Sequence, residues 1–131
     1  MMSIKLIRTA IIFGLISIIL GAFGAHALKA ILTEQQLTSF ETGVRYQMYQ
    51  ALFLLFVASS NLLTDKAKKI ATIILTFGVV FFSGSIYLLA TQDLSGINFK
   101  FLGPITPIGG LLIMVSWAFV AFNVRKQKNN N

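Results

Sequence analysis

Long apolar runs separated by short polar or basic stretches dominate the chain, and four of them, 9–28, 44–63, 70–90 and 105–124, are close to the ~20 residues a helix needs to cross a bilayer. Backbone N–H and C=O groups find no water partner in hydrocarbon, so each run is expected to be a helix. The pattern predicts an all-α integral membrane bundle of four transmembrane helices in a single domain, 1–131, with no internal repeat.

Between the first two runs, Leu32-Thr33-Glu34-Gln35-Gln36-Leu37 reads as a capping box with a hydrophobic staple. Leu37, Phe40 and Val44 then form one apolar stripe, as expected for an outer interfacial helix between spans one and two. Gly43 either bends this helix into span two or lies within one long helix. Glu41 and Arg45 have the spacing of an i,i+4 ion pair. In the connection 91–103, polar residues alternate with Leu94, Ile97, Phe99, Phe101 and Leu102, which fits a segment dipping into the headgroups. Ahead of the fourth span, Thr106 suits an N-cap and Pro107 the first helical position.

Basic residues give an orientation. Lys5 and Arg8, then Lys66, Lys68 and Lys69, then Arg125, Lys126 and Lys128 all fall on one side, against Lys29, Arg45 and Lys100 on the other. By the positive-inside rule both termini are cytoplasmic, N-in and C-in, in a multi-pass plasma-membrane protein. Lys5, Arg8, the apolar stretch and Ala25-His26-Ala27 also imitate a signal peptide; we read the segment as an uncleaved span. The basic tail 125–131 reads as disordered.

Composition agrees with this picture: 56% of residues are hydrophobic and 11% charged, against about 25% charged in an average soluble domain. The net charge of +7 serves topology and meets anionic lipid headgroups, so membrane lipids are the expected partners and nucleic acid is not. With no Cys and one His, the chain offers no thiolate or multi-histidine metal site, and we expect neither metal nor cofactor. Glu34, Glu41, Asp65 and Asp93 all fall in connections, which disfavours an ion-coupled transporter. No hydrolase elbow, Walker loop or Ser-His-acid set occurs, so the expectation is a protein that is not an enzyme.

On the four-span topology the polar residues gather at the outer end: His26 on span one; Tyr46, Gln47 and Gln50 on span two; Ser83, Ser85 and Tyr87 on span three; Thr106, Gly109 and Gly110 on span four. Polar groups within a membrane face the bundle interior or a cavity and suggest function by default. They form either an interhelical hydrogen-bond network or a small outward-facing pocket for a lipid headgroup or small polar ligand, with the start of span four favouring an anionic group. His26 is expected to be a hydrogen-bonded structural residue. Gly14, Ser17, Gly21, Ala25, Gly78 and Gly84 are the expected helix-packing positions, because small residues let membrane helices approach closely.

The segments Gly21-Ala22-Phe23-Gly24-Ala25-His26-Ala27-Leu28, Thr42 to Leu52 with its Tyr46-Gln47-Met48-Tyr49-Gln50 core, Ser83-Gly84-Ser85-Ile86-Tyr87 and Thr106-Pro107-Ile108-Gly109-Gly110 resemble the YgdD/YwdK family, small bacterial inner-membrane proteins of unknown function. The resemblance covers nearly the whole chain. It implies four spans, a plasma-membrane location and no established catalytic motif, and it supplies no substrate. That family often has a His where this sequence has Gln50, a departure that argues against a paired-His mechanism. The expected function is binding at the outer polar cluster. The alternatives are an accessory subunit of a membrane complex, whose partner is another membrane protein or a second copy, and a small oligomeric channel or carrier.

Overall fold

The computed structural model describes residues 2–126; the expected disorder of the tail falls largely on 127–131, outside the described residues. Four long helical segments lie side by side. The first, α1 (Met2–His26), leads through a 3-10 turn at Leu28–Ala30 into α2 (Glu34–Ser59). The third begins as α3 (Asp65–Val79), widens into a π-helical turn at Val80–Gly84 and closes as α4 (Ser85–Ala90). A short α5 (Gln92–Ser95) and a 3-10 turn at Lys100–Leu102 lead into α6 (Ile105–Asn123).

The capping box forms as read: Thr33 Oγ1 accepts from Gln36 N–H at 3.1 Å, and Gln36 Oε1 accepts from Thr33 N–H at 3.0 Å. The helix it starts runs unbroken through Gly43. The expected interfacial helix is therefore not a separate element but the first turns of α2, and that helix ends at Ser59, where Ser60 turns extended, rather than at Leu63. Continuity follows from packing, because Gly43 is buried against Tyr87 and a bend there would open that contact. Thr64 caps α3 by accepting from Ala67 N–H at 3.1 Å, so this helix starts five residues before the expected span. The left-handed Gly96, at φ 72°, ends α5. Thr106 is not the cap of α6, which begins after Pro104; its hydroxyl is taken by Ser85 instead.

α1 and α2 form one antiparallel pair and α3 and α6 another, while the π turn and α4 also touch α2. Three apolar layers fill the bundle. Leu28, Leu32, Phe40 and Ala90 close the end that carries His26; Ala10, Leu54, Leu75, Val79 and Ile113 occupy the middle; Val57, Leu63, Ala67, Ala71 and Val120 close the end that carries Lys68. Around this core the exposed positions are also apolar, including Ile11, Ile12, Leu15, Ile18 and Ile19 on α1 and Leu111, Met114, Val115 and Phe122 on α6. The fully enclosed side chains include Ser17, Ser83 and Ser116. Large aliphatics crowd the outside as well as the core, which is not the arrangement that water imposes on a surface. Ser3–Ala30, Asp65–Ala90 and Lys100–Asn123 are each long and apolar enough to cross a membrane.

Candidate functional site

The candidate polar residues fall into two groups: those joined across helices and those left on the surface. Gln47, buried on α2, donates through Nε2 to the Phe13 carbonyl of α1 at 2.9 Å and accepts through Oε1 from Tyr87 Oη at 2.7 Å. One carboxamide thus ties three helical segments together. Ser17 donates to the Val44 carbonyl at 2.8 Å, and Ser83 donates to the Gly43 carbonyl at 2.7 Å. Ser85 and Thr106 share a hydroxyl contact of 2.6 Å between α4 and α6. Gln50, buried deeper on α2, accepts from Trp117 Nε1 at 2.7 Å. Of the expected ligand residues, Gln47, Gln50, Ser85, Tyr87 and Thr106 therefore bond to neighbouring helices. Hydrogen bonds of this kind contribute about 0.6–1 kcal/mol each in membrane bundles.

The other candidates behave differently. His26 is the last residue of α1, exposed, and takes no part in this network, which corrects the expectation of a hydrogen-bonded structural His. Tyr46 is 42% exposed and lies against the rings of Tyr49 and Phe82. Gly109 is a packing residue: a Cβ there would overlap the Phe82 backbone nitrogen and lie 2.7 Å from the Phe81 carbonyl carbon. The widened π turn and Gly109 thus bring the two backbones together. Gly110 has only ordinary contact with the Phe82 ring.

Among the expected packing positions, Gly78 sits against Ile113, where a Cβ would meet the Ile113 backbone nitrogen at 3.0 Å. Gly21 faces Val44, and Gly14 has looser contact with Ala51. Two expectations are corrected. Ala25 is exposed, and a Cβ added at Gly84 would meet nothing within 4 Å, because the π turn rotates this residue away from α2 and α6. Two positions were missed: Gly24, where an added Cβ would meet the Phe40 ring at 3.1 Å, and Gly43, where one would meet the Tyr87 ring at 2.8 Å. Both sit in the quoted motif segments, and only the pairing of helices reveals their role.

At the opposite end, Lys68 is buried rather than lying in a solvated loop. Its Nζ donates to the Ala58 carbonyl at 3.0 Å and to Ser3 Oγ at 3.3 Å, placing a cation at the C-terminal end of α2 where the helix dipole favours it. Arg45 donates to Thr42 Oγ1 at 3.3 Å.

A groove of about 380 Å³ remains open at the His26 end. Thr33, Gln35, Gln36 and Ser39 of the first turns of α2 form a polar wall, Ile86, Leu89 and Ala90 of α4 an apolar one, and Thr106 joins them. Beside it, Gln36 Nε2 donates to Asp93 Oδ2 at 2.8 Å, holding α5 over the start of α2. Among the described residues no group of three or more His, Cys, Asp or Glu could hold a metal ion.

An all-helical chain with apolar flanks, a hydroxyl- and amide-linked interior and three helices long and apolar enough to cross a membrane is a small multi-pass membrane protein. The chain belongs to the family described as protein of unknown function (DUF423), whose model matches residues 20–110. It is 39% identical over 111 residues to the UPF0382 membrane protein YwdK of Bacillus subtilis, covering 81% of this chain and 84% of that one. The UPF0382 membrane protein of Haemophilus influenzae is 34% identical over 125 residues, covering 95% of this chain and 97% of its own length. A relative in Schizosaccharomyces pombe, 36% identical over 112 residues with 85% and 93% covered, shows that such proteins are not confined to bacteria. No solved structure matches the chain.

Proposed function

We propose that the protein is a non-enzymatic, four-span membrane protein, N-in and C-in, that binds the headgroup region of an amphiphilic lipid in its outer groove. α2 is the fourth span in this reading. Its 26 residues extend about 39 Å at 1.5 Å per residue, and it runs antiparallel to α1 from Phe40 beside Gly24 to Ala51 beside Gly14. Its glutamines are tolerable at that depth because Gln47 and Gln50 bond to other helices.

The observation that carries the binding reading is the pairing of a hydroxyl and amide wall with an aliphatic wall at the outer ends of α2, α4 and α6. Such a groove suits a molecule that is polar at one end and apolar at the other. The binding surface is thus shifted from the inward-facing cluster to Gln35, Ser39 and Thr106. Native mass spectrometry of the protein released gently from its own membrane tests this. We expect one retained lipid mass per chain, lost in a Gln35→Leu, Ser39→Leu double variant and kept in His26→Leu. A bare wild-type chain, or equal retention by the groove variant, would overturn the proposal.

A further inference from the structure

The outer groove does not end at the ridge formed by Gln35 and Ser39. Across that ridge lies a second concavity of about 640 Å³, lined by Thr33, Glu34, Gln35, Thr38 and Ser39, so the two share Thr33, Gln35 and Ser39. All of its lining residues carry a hydroxyl, a carboxamide or a carboxylate, whereas the aliphatic wall of Ile86, Leu89 and Ala90 belongs to the first groove alone. A lipid seated here has its apolar part against α4 and its headgroup over α2.

Gln35 and Ser39 stand four residues apart on one face of α2, with about 5–6 Å between their Cβ atoms. Both are exposed, and neither side chain bonds to another described residue. Their neighbours are engaged. Gln36 holds Thr33 N–H and Asp93, Thr38 Oγ1 donates to the Glu34 carbonyl, and Thr106 shares its hydroxyl contact with Ser85. The open set is therefore a carboxamide and a hydroxyl, which both donate and accept, and the Glu34 carboxylate, which accepts.

Charge narrows the choice of headgroup. No Lys or Arg lines either concavity, and Arg45 is turned to Thr42 Oγ1. The charges bordering them are acids, Glu34 on one side and Asp93, held by Gln36, on the other. The capping box also occupies Thr33 N–H and Gln36 N–H, which removes donors that an anion would use at the start of α2. A phosphodiester here would meet like charges and no cation. An uncharged headgroup rich in hydroxyls meets the opposite: its O–H groups donate to Gln35 Oε1 and to the Glu34 carboxylate, the stronger kind of hydrogen bond, and its oxygens accept from Gln35 Nε2 and Ser39 Oγ.

We propose that the outer groove selects a lipid with a neutral glycosyl headgroup, the sugar lying across the Gln35–Ser39 ridge beside Glu34 and the acyl-bearing end against Ile86 and Leu89. This rests on the reading of the outer groove as a lipid site and adds the class of headgroup.

Native mass spectrometry of the full chain, released from nanodiscs containing equal fractions of diglucosyldiacylglycerol, phosphatidylglycerol and phosphatidylethanolamine, tests the class. All three lipids carry dioleoyl chains, so the headgroup alone distinguishes them. We expect the glycolipid adduct to exceed each phospholipid adduct by about fivefold or more. Gln35→Lys brings a cation to the ridge and should reverse the order in favour of phosphatidylglycerol, in a chain with wild-type circular dichroism. A glycolipid preference unchanged in that variant would overturn the proposal. A wild-type chain that retains either phospholipid as well as the glycolipid, and loses it in the Gln35→Leu, Ser39→Leu variant, would overturn the glycosyl assignment and leave the lipid groove standing. No adduct of any kind would overturn both.

Discussion

Replacing Gly109 by alanine probes the tightest of the glycine contacts between helices among the described residues. The added Cβ lies 2.7 Å from the Phe81 carbonyl carbon and 2.8 Å from Phe82 Cα, whereas ordinary contact begins at 3.4 Å. Backbone cannot swing aside as a side chain does, so α6 must retreat by about 0.7 Å or more, an overpacking strain of about 1–3 kcal/mol. Separation also stretches the Ser85–Thr106 contact, now 2.6 Å, at a further cost of about 0.6–1 kcal/mol. Against this, alanine gains about 1 kcal/mol of helix propensity. The net expectation is a loss of about 1–3 kcal/mol. Gly84→Ala is the matched control, since nothing lies within 4 Å of its Cβ position, and it should be neutral or stabilising by up to about 1 kcal/mol. Reversible unfolding in mixed micelles of rising SDS fraction, followed by Trp117 fluorescence and circular dichroism, measures both. A Gly109→Ala protein as stable as wild type, or a Gly84→Ala protein that loses more, would refute the packing argument.

Three further outcomes follow from the hydrogen-bond network. Tyr87→Phe removes the donor to Gln47 and should cost about 0.6–1 kcal/mol, while Gln47→Leu should cost about 1–2 kcal/mol by also losing the Phe13 carbonyl; the double variant should cost less than the sum, and strict additivity in the same SDS assay would contradict their coupling. Lys68→Met leaves the Ala58 carbonyl near the end of α2 without its donor and should destabilise by about 1–3 kcal/mol, whereas Lys66→Met, at an exposed position, should change stability by less than about 0.5 kcal/mol; equal effects would remove the special role given to Lys68. Thr33→Ala removes the capping hydroxyl of α2 and should cost about 0.5–2 kcal/mol and raise amide exchange in the first turns of that helix; unchanged exchange there would contradict the cap.

The long helices and the start of α2 were legible because they depend on local signals: apolar runs with a minimum length and a capping box whose two bonds lie within four residues. The membrane class followed from the same apolar excess. What sequence could not supply was pairing. Gly109 read as part of the polar cluster because nothing local marks Phe81 and Phe82 as its neighbours, and Gly84 read as a packing position because it is one of several small residues on its span. The π turn at Val80–Gly84 has no sequence signal of its own, yet it decides which of Ser83, Gly84 and Ser85 faces which helix. Lys68 read only as one of the basic residues that set orientation until the end of α2 was placed beside it. Trp117 did carry a hint, since membrane tryptophans concentrate at interfaces and this one lies well inside its helix.

The passage of α2 across the membrane beside α1 is the feature on which the proposed architecture most depends, and the absence of cysteine makes it directly measurable. Single-cysteine variants at Ser39, near the start of α2, and at Asn61, between α2 and α3, are reacted in intact cells and in inverted vesicles with a membrane-impermeant maleimide. A four-span bundle predicts that Ser39→Cys labels only from outside and Asn61→Cys only from the cytoplasmic face. Labelling of both positions from the same side would contradict the four-span architecture and, with it, the placement of the outer groove.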